Sequence, residues 1–543
     1  MLCSQLFKFK IARGHGGSKD SWLFMILDRV YGSLLRFSLR RRWVILLIAG
    51  PCLGSAFPLY WMSRVDFLPA DDSGEYQISF RTPEGSSMKA TERVLLEIEG
   101  KIRKLEGVQH VYSQVGGGGG GNSQVTEGSI FVQLIDLSQR KLTQFDSMAE
   151  ARKIMKGYQQ YQPSVQSGGV QVMGGGRADL QFFVRGPDLE KLKTYTNAIV
   201  DALRKNPIFG NVNSSFIDRK PEIHVKVDRD RAFQAGIRVD TVFLALKTLI
   251  GGQDQISQFQ EGDEQYEVRV RLRPEDRMDV RSISGLLLPT GDGKCVTLDS
   301  LASITTGFGP AQINRQGRQR SISVSGTLGK NRGLGEANDC IMKTIREMKL
   351  PIEYSFGFSG KAKEMERTYS GYLKAFSMST IFMFLILASQ FESFLHPLTI
   401  MLSLPLSIPF ALLTLLLANG TLNVYSGLGV FMLFGIVKKN AILQIDYTNT
   451  LRERGMERDK AVYEANRARF RPIIMTTITL VAGMLPMALG TGPGAATRAS
   501  MAIVIIGGQS LCLLITLLLT PVAYTLFDDV MTLVRSLLPR LDQ

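Results

Sequence analysis

Two lysines stand inside an otherwise apolar stretch of the chain, GLGVFMLFGIVKKNAILQIDY at residues 427–447. The stretch is apolar up to Val437, carries Lys438, Lys439 and Asn440, and then becomes apolar again. A lysine at the centre of a membrane helix costs about 2.5–3.5 kcal/mol on insertion scales. Ionisable groups inside a membrane usually pair with another charge or line a polar path, so this segment is the first candidate functional site.

An opposite charge for these lysines is hard to find in the other apolar segments. Glu392 and Asp528 lie at segment ends, which leaves Asp446 as the acid inside a segment. Asp446 follows Lys439 by two helical turns, so it shares the face of Lys439 but lies about 10.5 Å further along the axis. We expect Asp446 to meet water and the carboxylate partner of Lys439 to lie on another polypeptide.

The two lysines have different expected surroundings. Lys438 can extend to the cytoplasmic interface or stay buried, and the sequence leaves this choice open. The Lys439 side chain projects about 100° around the helix axis from that of Lys438. Asn440 lies beside it, and further residues of the span follow before the polar end. We therefore assign the buried cation to Lys439 and keep Lys438 and Asp446 as secondary candidates.

The elements that must position these residues are long apolar runs. Each run is close to the roughly 20 residues that cross about 30 Å of hydrocarbon. The sequence therefore predicts a membrane protein with a six-helix transmembrane bundle. The predicted spans cover residues 43–62, 373–390, 397–418, 424–446, 472–491 and 501–526.

The positive charge of the chain is concentrated beside the predicted spans. The formal net charge is +15, and the arginine-rich segments 36–43 and 452–472 fall on one side of a six-span count. Basic segments favour the cytoplasmic side, so the domain between the first two spans is expected outside the cytoplasm and residues 528–543 form a cytoplasmic tail. No basic block alternates with aromatic residues, so nucleic-acid binding is not expected.

Residues 1–42 are predicted to contain a cytoplasmic or interfacial helix. An apolar stripe beside many arginines suits a helix that lies on the membrane surface. A helix that simply docks on the cytosolic side of the protein is the alternative. The stripe consists of Leu23, Leu27, Tyr31, Leu34 and Leu35.

Metal, cofactor and enzyme chemistry have little support. The five cysteines include no C-x-x-C pair, and the four histidines are far apart. Six glycines at 116–121 are not followed by the Gly-Lys-Ser/Thr of a phosphate-binding loop. We expect no metal site, no cofactor and no enzymatic activity.

The domain between the first two spans contains a repeated pattern. Residues 75–113 and 179–216 each read as strand, helix and strand, and residues 321–358 repeat the order. The helix of the first unit is expected to bury a stripe of leucines and isoleucines at helical spacing. The units predict an α+β fold of ferredoxin-like βαβ subdomains, interrupted by an inserted subdomain at residues 220–308. The stripe is Leu95, Leu96, Ile98, Ile102 and Leu105.

The second half of the chain resembles a known transporter family. KNAIL at 439–443, RFRPIIMT at 469–476 and GMLPMALGTGPGA at 483–495 are specific together, and residues 390–409 also match. These elements resemble the C-terminal half of resistance–nodulation–division (RND) efflux transporters, in the hydrophobe/amphiphile, AcrB-like branch.

The resemblance implies a proton relay that this chain carries only in part. Members of the family have twelve spans in two similar halves, and an aspartate pair in the first half carries protons. The family lysine corresponds to Lys439, with Asn440 beside it, the arginine to Arg469 and the threonine to Thr476. The aspartate pair has no counterpart here. The energy source would be the proton gradient.

The resemblance also implies a division of the chain. Residues 43–62 would be the first span and residues 361–527 would carry spans two to six. One porter subdomain would cover 63–177, a second 178–219 with 309–360, and a docking subdomain 220–308. The glycine run departs from the loop of drug pumps in this family. Its residues Gly116, Gly118 and Gly120, with Tyr112 nearby, are the candidate substrate path.

Together these observations predict the C-terminal half of a proton-driven efflux pump for amphiphilic or hydrophobic small molecules. The implied location is the inner membrane of a Gram-negative-type envelope, with the large domain in the periplasm. The alternatives are an envelope interaction module without transport, and metal-ion efflux by a related branch. The implied partners are the N-terminal half with the acidic pair, further copies in a trimer, a periplasmic adaptor and an outer-membrane channel.

Overall fold

A computed structural model describes most of the chain. The described residues are 22–116, 124–168, 178–216, 220–252, 255–277, 279–290, 293–309, 312–329 and 332–537.

The membrane-type part of the chain begins with a helix that lies against the others, α1 (Trp22–Arg40). Tyr31 and Leu35 of α1 are buried, and the Tyr31 ring stacks on Phe470 with centroids 4.2 Å apart. Leu27 and Leu34, which were predicted on the same apolar stripe, remain 48% exposed. The helix therefore docks on the bundle through one face and keeps a second apolar face uncovered.

Five helices are long and apolar enough to cross a membrane, among the described residues. The first consists of α2 (Arg42–Gly54), which contains Pro51, and α3 (Ala56–Met62), with Ser55 between them. The other four are α12 (Gly360–Phe391), α15 (Val424–Glu453), α16 (Arg458–Ala488) and α17 (Ala495–Leu537).

The predicted six-helix transmembrane bundle is not confirmed, because the segment 397–418 is broken. It forms α13 (Leu395–Met401) and α14 (Ser407–Leu417), joined by a turn. Pro405 in that turn lacks the N–H that a continuous helix needs. The Ile408 N–H bonds the Pro405 carbonyl at 3.2 Å, three residues back instead of four.

The two ends of the broken segment lie at opposite ends of the bundle. His396 stacks on Tyr524, whose hydroxyl accepts a hydrogen bond from Arg452 at 2.8 Å. At the other end, the Leu422 N–H bonds the Arg64 carbonyl at 2.7 Å, just beyond the first span. The segment therefore runs the length of the bundle although its helix is interrupted.

Helix α17 is the centre of the bundle and packs closely through adjacent glycines. A Cβ on Gly507 would stand 1.8 Å from Thr414 Oγ1, and a Cβ on Gly508 would stand 2.2 Å from Leu433 Cδ2. Because glycine has only a hydrogen atom as its side chain, α14 and α15 can approach two sides of α17 at these positions.

The first subdomain outside the bundle is a four-stranded antiparallel sheet in the order β2-β3-β1-β4. Helices α4 (Met88–Ile102) and α5 (Gln144–Met155) join its strands. Leu95, Ile98 and Ile102 are buried, but Leu96 is 58% exposed, so the predicted stripe is narrower by one residue. The strands are β1 (Glu75–Arg81), β2 (Val108–Val115), β3 (Glu127–Leu134) and β4 (Ser164–Ser167).

A second sheet repeats this order with later segments of the chain. Strand β14 lies between β5 and β6, and β15 flanks β5 on its other side. Helices α6 (Leu189–Arg204) and α11 (Leu334–Met348) pack on it. The strands are β5 (Leu180–Gly186), β6 (Phe209–Ser214), β13 (Arg315–Gln316), β14 (Gln319–Leu328) and β15 (Ser355–Ser359).

Between β6 and β13 lies the inserted subdomain, which has its own small core around Leu288 and Leu298. Its strands pair in three separate two-stranded sheets, β7 with β12, β8 with β9 and β10 with β11. The strands are β7 (Lys220–Val227), β8 (Gln255–Glu261), β9 (Glu264–Arg269), β10 (Leu287–Pro289), β11 (Cys295–Thr297) and β12 (Ala302–Gly309). The helices are α7 (Arg229–Gln234), α8 (Val239–Ala245), α9 (Val280–Ser284) and α10 (Leu298–Leu301).

Candidate functional site

Lys439 lies on an exposed face of α15. Lys439 is exposed in this chain, as are the residues one and two turns before it on the same face. That a carboxylate on another polypeptide buries Lys439 stays a prediction. Met432 is 51% exposed, and a Cβ on Gly435 would have no atom within 4 Å. The face consists of Leu428, Met432, Gly435, Lys439 and Asp446, and we refer to it as the lysine face.

The neighbours of Lys439 point elsewhere on the same helix. Asn440 is buried at 6% exposure, and Lys438 is half-buried. The buried side of α15 continues through Leu433, Val437 and Gln444, which pack towards the centre of the bundle. The helix therefore turns the Lys439 ammonium group away from the core that this chain builds.

The other predicted relay residues are not brought into contact with Lys439. Thr476 is exposed on α16, and its hydroxyl donates to the Ile473 carbonyl at 3.0 Å. Asp446 shares the lysine face with Lys439. Within the described residues, no hydrogen bond or ion pair joins Lys439 to Asp446, Arg469 or Thr476.

Arg469 is held by an aromatic ring. Its guanidinium carbon lies 4.7 Å from the centroid of the Tyr447 ring, and its Nε is buried without a hydrogen-bond acceptor among the described residues. The contact joins α16 to α15 below the lysine face. Arg469 thus lies beside the helix that carries Lys439, although it does not reach Lys439.

A buried polar contact that the sequence analysis missed lies beside this region. Gln509 of α17 is 2% exposed, and its Nε2 donates to Thr477 Oγ1 of α16 at 3.4 Å. The Gln509 Oε1 and the Gln444 Nε2 are buried without partners among the described residues. Thr477 follows Thr476 directly. The sequence analysis therefore predicted a hydroxyl group in this region, but it selected Thr476, which is exposed, and not the buried Thr477.

An ion-pair cluster joins four helices at the end of the bundle where α2 begins. Asp528 bonds Arg452 Nη1 at 3.1 Å and Arg458 Nη1 at 3.3 Å. Asp529 pairs with both Arg42 and Arg458. Each carboxylate bridges two arginines through charge-assisted hydrogen bonds, so the cluster fixes the helix ends relative to one another.

The linker that follows the first span joins the bundle to the second sheet. The Leu422 carbonyl accepts from the Asp66 N–H at 2.9 Å, and the Val65 carbonyl accepts from the Gly335 N–H of α11 at 3.0 Å. The Asp66 carboxylate accepts from the Leu334 N–H at 3.4 Å. Burial of this carboxyl raises the pKa of Asp66 to about 6, and the charge of Asp179 adds to this effect. The hydrogen bond from Leu334 and the charge of Lys361 oppose it.

The next part of the linker caps the central helix. The Asp71 carboxylate accepts from the Gly494 N–H at 2.6 Å and from the Ala496 N–H at 3.1 Å. Backbone N–H groups at a helix start favour a negative charge. One short linker thus touches the start of α11, the loop before α15 and the start of α17.

The candidate substrate path is described only in part. Tyr112 is 63% exposed on β2, with its ring centroid 5.9 Å from that of Phe131. Gly116 ends the strand region at φ +72° and donates its N–H to the Glu127 carbonyl at 2.9 Å. Gly118 and Gly120 lie outside the described residues. Among the described residues, no three His, Cys, Asp or Glu side chains are placed to hold a metal ion.

The chain matches the AcrB/AcrD/AcrF family over residues 1–528. Its fold is similar to the X-ray crystal structure of a heavy metal efflux pump in two crystal forms, at 25% sequence identity in each. Crystal form II gives a TM-score of 0.82 over 94% of this chain, and crystal form I gives 0.84 over 93%. This chain spans 53% of the length of those pump chains, which is about half.

Proposed function

This chain belongs to the AcrB/AcrD/AcrF family, and we propose that it supplies the C-terminal half of a proton-driven RND efflux pump. The observation that carries the proposal is the lysine face. A cation on an exposed face of a membrane helix is costly unless an acid meets it there. A second polypeptide with an intramembrane acid pair would cover that face.

Such a pairing would couple protons to motion. Acids that face Lys439 are held ionised by its charge, since an opposite charge lowers the pKa of a carboxyl. Protonation of the acids weakens the pairing, and the lysine face is then free to shift. We assign Arg469 to electrostatic support beside Tyr447, and Asn440 and Thr476 to hydrogen bonding near the relay.

The linker gives a route from the bundle to the outer subdomains. Movement of α15 or α17 is transmitted through residues 64–71 to α11, because the linker bonds all three elements. We propose that the two sheets are ferredoxin-like porter subdomains, that residues 220–308 form the docking subdomain, and that this whole region is periplasmic. The family resemblance supports a trimer with an adaptor and an outer-membrane channel.

The substrate class is the finer part of the proposal. We propose amphiphilic or hydrophobic small molecules as the substrates, because the KNAIL element resembles that of the AcrB-like branch. A second candidate, metal-ion efflux, is favoured by the description of both similar structures as a heavy metal efflux pump. An interaction module without transport is the remaining alternative.

Reconstitution with a partner tests the function. The chain is expressed in pump-deficient cells alone, and together with a six-span polypeptide of the family that carries the intramembrane aspartate pair. We expect dye and detergent efflux only when both are present. Efflux of zinc or copper salts without dye efflux would favour the metal branch. The absence of any efflux from a stable complex of the two would support the interaction module.

A further inference from the structure

Three buried polar side chains inside the bundle each have an atom without a hydrogen-bond partner. Gln444 of α15 is 2% exposed, Asn466 of α16 is 1% exposed and Thr520 of α17 is 2% exposed. The atoms without a partner among the described residues are Gln444 Nε2, Asn466 Oδ1 and Thr520 Oγ1. Such atoms are costly in a bundle of membrane helices, because lipid offers them no hydrogen bonds. We call these three side chains the polar junction.

Gln444 and Thr520 stand at about the same height in the bundle. Helices α15 and α17 run in the same direction, since Gly508 packs on an early turn of α15 and the Tyr524 hydroxyl donates to Asn449 Oδ1 at 2.7 Å on a later turn. Thr520 precedes Tyr524 by four residues, and Gln444 precedes Asn449 by five. Their heights therefore differ by the rise of one residue, which is about 1.5 Å.

Asn466 and Thr520 lie on the facing sides of α16 and α17. Gln509 Nε2 donates to Thr477 Oγ1 at 3.4 Å, which fixes one point of contact between these antiparallel helices. Thr520 follows Gln509 by eleven residues, and Asn466 precedes Thr477 by eleven. Eleven residues make about three helical turns, so each side chain returns to nearly the same face. The Asn466 and Thr520 side chains are therefore directed towards each other, as the Thr477 and Gln509 side chains are.

The three helices pack together directly beside the polar junction. One hydrophobic cluster takes a buried side chain from each of them, and each of these side chains lies within about one turn of a member of the junction. The three side chains are Ile445 of α15, Val462 of α16 and Tyr524 of α17. The polar junction is therefore enclosed by helices of this chain.

The donors and acceptors of the junction suit one water molecule. Asn466 Nδ2 donates to the Val462 carbonyl at 2.7 Å, which leaves Asn466 Oδ1 as a free acceptor. Gln444 Nε2 is a donor, and the Thr520 hydroxyl can donate or accept. A buried water typically makes about three hydrogen bonds and can serve both kinds of partner. A cation suits the site less well, because it would meet the N–H groups of Gln444.

We propose that the polar junction binds one water molecule that joins α15, α16 and α17. The water accepts a hydrogen bond from Gln444 Nε2, donates one to Asn466 Oδ1 and shares a third with the Thr520 hydroxyl. The site is separate from the lysine face, because the Gln444 side chain projects about 140° around α15 from that of Lys439. The inference does not depend on the proposed function, since the water would hold three helices of this chain together without any partner.

Radiolytic footprinting tests the site in the full chain, purified in detergent and in water labelled with a heavy oxygen isotope. An X-ray pulse makes hydroxyl radicals from bound water, and these oxidise the nearest side chains. We expect labelled oxygen in Ile445, Val462 or Leu519, which are at most 2% exposed. Val504 and Ile505 are equally buried on α17 but lie several turns away, so they should stay unlabelled. Absence of label at the junction would overturn the proposal.

Apolar substitutions test which side chains hold the water. Gln444→Leu, Asn466→Leu and Thr520→Val each remove one partner, and each should lower the label at the junction about three-fold or more. Thr516→Val is the matched control, because the buried Thr516 hydroxyl already donates to the Cys512 carbonyl at 3.0 Å. It should leave the label unchanged. Unchanged label in the three junction variants would contradict the assigned site.

The melting temperature in detergent gives a second test. Each single substitution leaves the remaining buried polar atoms short of a partner and should lower the melting temperature by about 2–4 °C. The variant with all three substitutions leaves no such atom, so its loss should be smaller than the sum of the three single losses. Additive losses would mean that the three side chains share no partner, which would overturn the proposal.

Discussion

At the scale of residues, the sequence indicates which side chains are functional candidates but not whether the fold buries or exposes them. The sequence identified Lys439 because a lysine inside an apolar run is rare, and the structure places it on an exposed face of α15. Its exposure follows from the way α15 packs in the bundle, which the sequence pattern alone does not give. The Gln509–Thr477 contact was missed because single polar residues in apolar runs are common and their partners lie far away in sequence.

Asp66 gives a pH dependence that can be measured. Its pKa of about 6 lies above the ordinary 3.8, so the folded chain prefers the neutral carboxyl. The stability that this carboxyl contributes is full below about pH 4 and is lost as the pH rises through 6. Asp66→Asn cannot ionise, so its melting temperature relative to the parent should rise between pH 4 and 7 and then level off.

The measurement is thermal unfolding of the purified chain in detergent at several pH values. Asp240→Asn, the same change at a carboxylate that is 82% exposed, is the matched control. A constant difference between Asp66→Asn and the parent at all pH values would contradict the assigned pKa.

At the scale of elements, most helices and strands followed from apolar periodicity. The helix Met88–Ile102 and the strands Glu75–Arg81 and Leu180–Gly186 confirm predictions from spacings of 3.6 and 2. The interruption between Met401 and Ser407 was missed, although Pro405 was visible, because span length was given more weight than the helix-breaking residue. The exposure of β8 and β9 was not predicted, because alternation predicts a strand but not whether anything covers it.

The packing of the central helix predicts a strong effect at one glycine. Gly507→Ala places a Cβ where Thr414 Oγ1 would be 1.8 Å away, so α14 and α17 must separate. Overpacking of this kind costs about 1–3 kcal/mol. Gly483→Ala, at a helix position with no atom within 4 Å, is the matched control and should not destabilise the chain.

Melting temperature and monodispersity in detergent report the effect of these two changes. We expect a clear loss for Gly507→Ala alone. Equal stability of the two variants would mean that α14 and α17 do not approach each other at this glycine.

At the scale of the whole molecule, the order of elements agrees with a chain that crosses the membrane several times around one large outer domain. The repeat of strand order in the two sheets could be expected from the sequence, because the same strand–helix–strand pattern recurs at 75–113 and 179–216. How the chain would contact the proposed N-terminal half could not be predicted, since the acid proposed to meet Lys439 belongs to another polypeptide.

The orientation in the membrane can be tested with a natural thiol. Cys295 is exposed in the inserted subdomain, and Lys460 is 76% exposed in the arginine-rich segment 452–472. In a background with the other cysteines changed to serine, Cys295 should react with an impermeant maleimide in outer-permeabilised cells. Lys460→Cys should react only after lysis of the inner membrane. The reverse pattern would contradict the periplasmic placement of the large domain.

The most direct test of the proposed relay compares two adjacent lysines. Lys439→Ala removes the cation from the lysine face, so the partner's buried carboxylates should stay protonated and the transport cycle should stop. Lys438→Ala changes a half-buried neighbour that points elsewhere, and it should be much milder. The measurement is efflux in cells that contain the six-span partner, at matched membrane levels of each variant. We expect loss of efflux for Lys439→Ala only; near-parental efflux for Lys439→Ala would contradict its role, and equal loss in both variants would contradict the choice between the two lysines.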